Sequence, residues 1–254
     1  MNIFRSDLHI HTCLSACAEL DMTPPKIIKK ARDSGLQIIA ITDHNSAENI
    51  PAFYSISEGI TVLAGMEITT SEEVHILALF DSYEEIKPLQ EVIYSALQGP
   101  EFDGKLGYQL IVNENEEILS FSKRPLIGAT DLSTREVVNL IHKFNGLAIA
   151  SHIDKEVFSI ISQLGFIPPD IQPDALEISC HMSMEEAKKR FSDLGLPLIQ
   201  SSDSHHLKDV GRAFTEFLIE RPELEELRLA LTGQEGRMII GVSRKSDDLW
   251  GYNF

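Results

Sequence analysis

Cysteine is scarce in this chain: three residues, Cys13, Cys17 and Cys180, in 254. An odd and sparse set makes no disulfide framework and suits a reducing compartment. A chain of this length buries a large core without such staples. Cys13 and Cys17 read first as small loop residues and second as soft metal ligands. Long apolar runs are missing too. No window approaches the roughly eighteen residues a membrane helix needs. The first seven residues are polar and charged, with no apolar stretch behind a basic start, so no signal peptide is expected. The expected location is cytoplasmic. Basic residues are few, 22 against 39 acids, for a formal net charge of −17. That balance argues against a long nucleic-acid groove. A short nucleotide at a local positive site stays open, because bound cations supply such a site whatever the global sign. No serine nucleophile elbow or catalytic triad pattern is visible.

What the chain does have is a rhythm. Strand-length apolar runs occur at "QIIAITDH" (37–44), "TVLAGMEITT" (61–70), "VHILALF" (74–80), "GLAIASHI" (146–153), "DALEISCH" (174–181) and "LPLIQSSDSH" (196–205). Helical patterns separate them. "TPPKIIKKARDSG" opens on Thr-Pro and stops at Gly35, "STREVVNLIHKFNG" pairs a Ser/Thr cap with an acid three positions on, and "SMEEAKKRFSDLG" repeats the scheme. Strands alternating with helices predict parallel βα units, and about seven of them predict a closed or nearly closed barrel. Residues 81–131 break the rhythm with a helical piece, "SYEEIKPLQEVIYSALQ", and a polar irregular stretch around 113–117. This segment is expected as an insertion over one barrel face. The whole chain, 1–254, is expected to be one domain ending in a terminal strand and tail, "RMIIGVSRKSDDLWGYNF".

The polar residues fall at strand ends. Asp7, His9 and His11 end the first run, Asp43 and His44 the second, Glu67 lies near the end of the third, and His152, Asp203 and His205 close later ones. In a parallel barrel these ends share one rim, where active sites assemble. Side chains at i and i+2 of a strand share a face, so Asp7, His9 and His11 should project together, as should Asp203 and His205. Imidazole and carboxylate together suit borderline divalent ions. A lone His-x-His is weak, and the signal is the coincidence at five strand ends. His142 falls in a helical pattern and reads as structural. His181 is open between surface and site, and His206 must point away from His205.

The segments "DLHIHT", "AITDHN", "GMEITT", "VHILAL", "ASHIDK" and "SSDSHH" resemble, in order along the whole chain, the PHP (polymerase and histidinol phosphatase) domain superfamily, and most its stand-alone phosphoesterases. The resemblance implies an α/β fold, a distorted (β/α)7 TIM-like barrel with its metal site at the C-terminal ends of the strands. It implies two to three divalent ions (zinc, manganese or iron, with magnesium admissible) held by His9, His11, His44, Glu67, His75, His152, Asp203 and His205, with Glu67 bridging. Many relatives carry an Asp-Gly after the first motif. Here "CLSACAELDMTPP" lacks it, and counting back from Pro24 assigns that ligand to Glu19, with Asp21 as the rival.

The implied activity is hydrolysis of a small phosphorylated substrate, a phosphomonoester or short nucleotide, by water activated between two cations. Glu67, Asp7 and Asp43 are the expected catalytic residues, the two aspartates by orienting ligand imidazoles. Asp43 also reads as a turn or cap acid. Arg135, Lys155, Arg212 and His206, with Arg124, are the candidate substrate-binding groups. Amidohydrolase-type chemistry and a non-catalytic metal-binding module are the alternatives. No membrane partner is expected, and the oligomeric state is open.

Overall fold

The computed structural model describes residues 1–244. The strands are β1 (Asn2–Ile10), β2 (Ile38–Ile41), β3 (Thr61–Thr69), β4 (His75–Phe80), β5 (Leu110–Val112), β6 (Ile118–Phe121), β7 (Leu147–Ala150), β8 (Ala175–Ile178), β9 (Leu198–Gln200), β10 (Ala213–Ile219) and β11 (Met238–Arg244). Nine form one sheet in the order β11-β10-β1-β2-β3-β4-β7-β8-β9. The seven from β1 to β9 curl until the ends nearly meet. A parallel bridge joins Ile10 to Ser204 beyond β9, with His11 N donating to Ser204 O at 3.0 Å and Ser204 N to His9 O at 3.2 Å. The sheet is therefore a nearly closed barrel. β10 and β11 extend it antiparallel from β1.

Beyond those two outer strands, the expectation of a parallel sheet is corrected at one strand within the barrel. β3 and β4 form an antiparallel hairpin, and β4 is antiparallel to β7 as well. The four residues between Thr70 and His75 leave no room for a crossover, which takes a dozen or more. The reversal brings the start of β4, His75, to the rim where its neighbours end.

Strand alternation sorts two cores. Ile38, Ala40, Leu63, Leu77, Leu79, Leu147 and Ile149 fill the barrel interior, and Ile39, Ile41, Met66, Ile76, Ala78 and Ala148 face the outer helices. The helices start where their caps predicted. Ser133 accepts from Glu136 N, Glu136 accepts from Ser133 N, and the helix Thr134–Lys143 follows. The helix Pro24–Asp33 opens on its prolines and ends before Gly35, at φ 74°.

The 81–131 segment divides in two. Its helix, Tyr83–Ala96, buries Ile86, Leu89 and Ile93 in the outer core and belongs to the barrel wall. The stretch expected as irregular is the hairpin β5–β6, turned by Asn113, whose Oδ1 accepts from Asn115 N and Glu117 N. That hairpin docks on the rim through Leu110 N donating to Cys13 O, and through Asn49, which spans Leu110 O and Val112 N. The expected terminal strand is β11. The tail, 245–254, lies outside the described residues. Among the described residues no helix is long and apolar enough to cross a membrane.

Candidate metal centre

Glu67 leaves the interior face of β3 above Leu63, and its carboxylate is 1 % exposed. Five imidazole nitrogens surround it. On Oε1 are His75 Nδ1 at 2.8 Å and the Nε2 atoms of His9 and His152 at 3.3 Å. On Oε2 are His44 Nδ1 at 3.1 Å and His11 Nε2 at 3.4 Å. Asp203 Oδ1 lies 3.4 Å from both His9 Nε2 and His11 Nε2, and 3.6 Å from His205 Nδ1. Three sets of donor atoms lie within 4.8 Å of one another: His11, His44, His205; His9, His11, Glu67; and His44, Glu67, His75.

The far side of each ring decides what its near side offers. Glu177 Oε2 holds His9 Nδ1 at 2.9 Å. Ser15 Oγ donates to Asp43 Oδ1 at 2.6 Å and so accepts from His11 Nδ1 at 3.0 Å. With their Nδ1 protons so placed, His9 and His11 in the neutral form that ligates turn bare Nε2 lone pairs on each other, 3.2 Å apart, and on the carboxylates. Acceptors facing acceptors in a buried site leave a place for cations, and imidazole plus carboxylate is the donor set borderline divalent ions take. The residues present fit such ions.

The local field agrees. Burial disfavours charge on His9, yet Glu177, Asp203 and Glu67 outweigh it and raise the ring well above its ordinary value. Burial likewise opposes charge on His44, and Glu67 still raises it to about 9. The same buried acids that favour charge on these rings favour a cation in place of the proton. Glu67 goes the other way: burial favours its neutral form, but His75, His9 and His44 hold it well below the usual carboxylate range. Burial pushes His75 down to about 4 and His205 to about 3, so both rings are neutral, the form that ligates.

The geometry strains the backbone where it delivers these groups. Asn45 (φ 49°), His152 (φ 28°) and Asp203 (φ 51°) are non-glycine residues at positive φ, each just past a strand end at the rim. Such strain gathers at functional sites.

Several expected residues lie elsewhere. Asp7 does not share the face of His9 and His11, because the β1–β2 register slips between Asp7 and Ile10. Its carboxylate accepts from Ser202 N and Gly211 N, both at 2.9 Å, and touches no ligand ring in those bonds. Asp43 grips Thr12 N and Thr12 Oγ1 at 2.7 Å and meets His11 through Ser15. Glu19 is half-exposed and pairs with His206 Nδ1 at 2.8 Å, away from the converging donors. Arg135 pairs with Asp170 on the surface at 3.0 Å. Arg124 stacks over Tyr94 at 4.1 Å. His142 bonds Asp174 at 2.9 Å, as a structural histidine should.

Lys155, by contrast, reaches the cluster and bonds Asp203 Oδ2. It stands between two cavities. One, of 260 Å³, runs from His44 and His75 to an apolar wall of Ile127, Val157 and Phe158. The other, of 370 Å³, is polar and includes His181, His206 and Arg212. Glu177 was missed. The pattern "ALEIS" reads as an apolar strand with one incidental acid, although an acid one inward pleat above Ala175 is a signal in hindsight.

An α/β barrel whose strand ends gather six histidines and two acids into one nest presents a donor set that could hold divalent cations. The PHP domain model matches residues 7–164 and the PHP-associated model residues 181–234. The chain belongs to the PHP domain family. It is 22 % identical to the uncharacterized protein YqxK of Bacillus subtilis over 92 % of this chain and 63 % of that protein. Among solved structures, its fold is similar to the lesion-specific endonuclease PfuEndoQ of Pyrococcus furiosus (TM-score 0.76, 20 % identity, 95 % of this chain and 58 % of that one). It is also similar to a metal-dependent phosphoesterase, itself assigned tentatively by name, from Bifidobacterium adolescentis (TM-score 0.53, 23 % identity, 79 % and 87 %). The chain thus spans roughly three-fifths of YqxK and of the endonuclease.

Proposed function

We propose that this protein is a metal-dependent phosphoesterase that hydrolyses a small phosphorylated molecule or short nucleotide at the Glu67 centre. The observation that carries the reading is the convergence of five imidazole nitrogens on Glu67 within 3.4 Å. Two to three divalent ions fit the three overlapping donor sets, with zinc, manganese or iron preferred by the donors. Ions held there lower the pKa of water toward neutrality and offset charge on phosphoryl oxygens.

The chain's own residues do the rest. His9, His11, Glu67 and Asp203 would hold the ions, and Glu177 and Ser15 lock the His9 and His11 rings. Burial works against charge on Lys155, but Asp203 keeps its ammonium charged, placed to meet a phosphoryl oxygen at the junction of the cavities. Ile127, Val157 and Phe158 shield one side from water, and Phe158 stacks on His75 at 4.5 Å. His206 and Arg212, in the polar cavity, suit a second anionic group on the substrate.

A second reading has one supporting observation. An endonuclease with this fold has been solved with a 27-mer duplex carrying an abasic lesion at its active site. The net charge of −17 favours the smaller substrate. Metal-loaded protein assayed on phosphomonoesters, phosphodiesters, nucleotides, cyclic amides and an abasic duplex separates the two. Cleavage of the duplex alone selects the second reading, and hydrolysis of cyclic amides alone removes both. Glu67→Gln should lose turnover by at least about a thousandfold while keeping the fold by circular dichroism.

A further inference from the structure

The donor set His11, His44 and His205 contains no carboxylate and no fourth donor. His11 Nδ1 is committed to Ser15 and His205 Nδ1 to the carbonyl of Asp203 at 3.0 Å, so both rings are fixed and turn their other nitrogens elsewhere. The His44 side chain is 9 % exposed. Three imidazoles leave the fourth position of a tetrahedral ion, and its charge, to water or to a further donor. Glu19, the sequence's candidate for this position, is bound to His206. Among the described residues Asp21 belongs to no converging donor set.

One further donor stands at the open side. Cys17 is exposed; its sulfur stands outside the converging sets, but it lines one cavity with His44 and His205 and the other with His205. Its place is inherited from the network that orients His11. Ser15 N donates to Thr12 O and Ala18 N to Ser15 O, so the turn carrying Cys17 is wound on the same Ser15 whose hydroxyl links His11 to Asp43. A cysteine has one heavy-atom torsion, and an exposed one turns at little cost.

We propose that Cys17 is the thiolate ligand that completes a third cation position with His11, His44 and His205. This rests on the metal-dependent reading above. On binding, the S–H bond breaks, its proton passes to solvent, and the sulfur pair is donated to the cation, with no change of oxidation state. A thiolate among three imidazoles selects zinc, cobalt or ferrous iron over magnesium and manganese. This position therefore differs in metal preference from the carboxylate-rich positions around Glu67 and Asp203.

Cobalt(II) loading of the full chain tests it. The wild type should show a near-ultraviolet thiolate-to-cobalt charge-transfer band. Cys17→Ala should lose the band and one equivalent of metal, and Cys180→Ala should keep both. Cys17→Asp should restore the equivalent without the band. In the wild type alone, bound metal should protect Cys17 from iodoacetamide, as read by peptide mass spectrometry, so the test survives a variant that misfolds. A protein that takes up cobalt but shows no band, or a band unchanged in Cys17→Ala, or Cys17 alkylated equally with and without metal, overturns the ligand role and leaves the phosphoesterase reading intact. A protein that binds no cobalt overturns that reading itself.

Discussion

Glu177 illustrates how a single side chain prepares a ligand it never shares. Its Oε2 holds His9 Nδ1 and also accepts from His152 N at 3.2 Å, tying two ligand-bearing strands together. Glu177→Ala should weaken metal affinity about 10- to 100-fold, measured by competition with a chromophoric chelator, and Glu177→Gln, which still accepts the His9 proton, should recover most of it. Asp7 behaves otherwise. Burial raises it from 3.8 to about 6, against the bonds from Ser202 and Gly211. The folded-state value exceeds the unfolded one, so its contribution to stability is full below pH 3.8 and lost as pH rises through about 6. Asp7→Asn should remove that loss. The stability difference between variant and wild type should change by up to about 3 kcal/mol between pH 4 and 6 in denaturant titrations. A difference independent of pH would show that Asp7 does not titrate there.

At the scale of elements, the β3–β4 hairpin is what completes the Glu67 nest. β3 presents Glu67 two residue pairs away from His75 on the antiparallel partner, with Thr69 opposite His75 in register. Close packing beneath it leaves no slack. A Cβ on Gly65, one inward pleat below Glu67, would sit 2.6 Å from Thr42 Cγ2 and 2.8 Å from Ile41 O. Gly65→Ala should cost about 1–3 kcal/mol of stability by denaturant midpoint, with metal content falling as Glu67 shifts. The β5–β6 hairpin acts at this scale too. It anchors the Cys13 and Asn49 loops, and Ile127, shortly after it, walls the cavity.

For the whole molecule, the centre is also a clasp. Its donors come from β1, β3, β4 and the segments after β2, β7 and β9, so cations there would bind a barrel whose final backbone closure, among the described residues, is the Ile10–Ser204 bridge. Ions that bind the folded state at about a hundred times their Kd add about 2.7 kcal/mol. Stripping metal with a chelator should lower Tm by roughly 5–10 °C in calorimetry, and zinc should restore it. An unchanged Tm would mean the barrel closes without them.

Much of this was legible in the chain. Apolar runs ending in His, Asp or Glu determined the strands, their rim and most of the donors, because burial and strand length are local properties that one segment carries alone. Ser133 with Glu136 determined a helix start for the same reason. What tertiary structure alone decided is pairing and direction. The reversal of β4 is fixed by pairing, and the register slip that turns Asp7 away, the capture of Glu19 by His206, and Glu177 behind His9 depend on partners distant in sequence, up to 204 residues away for Asp7 and Gly211. No segment encodes its neighbour's position. That information exists only once the sheet has closed.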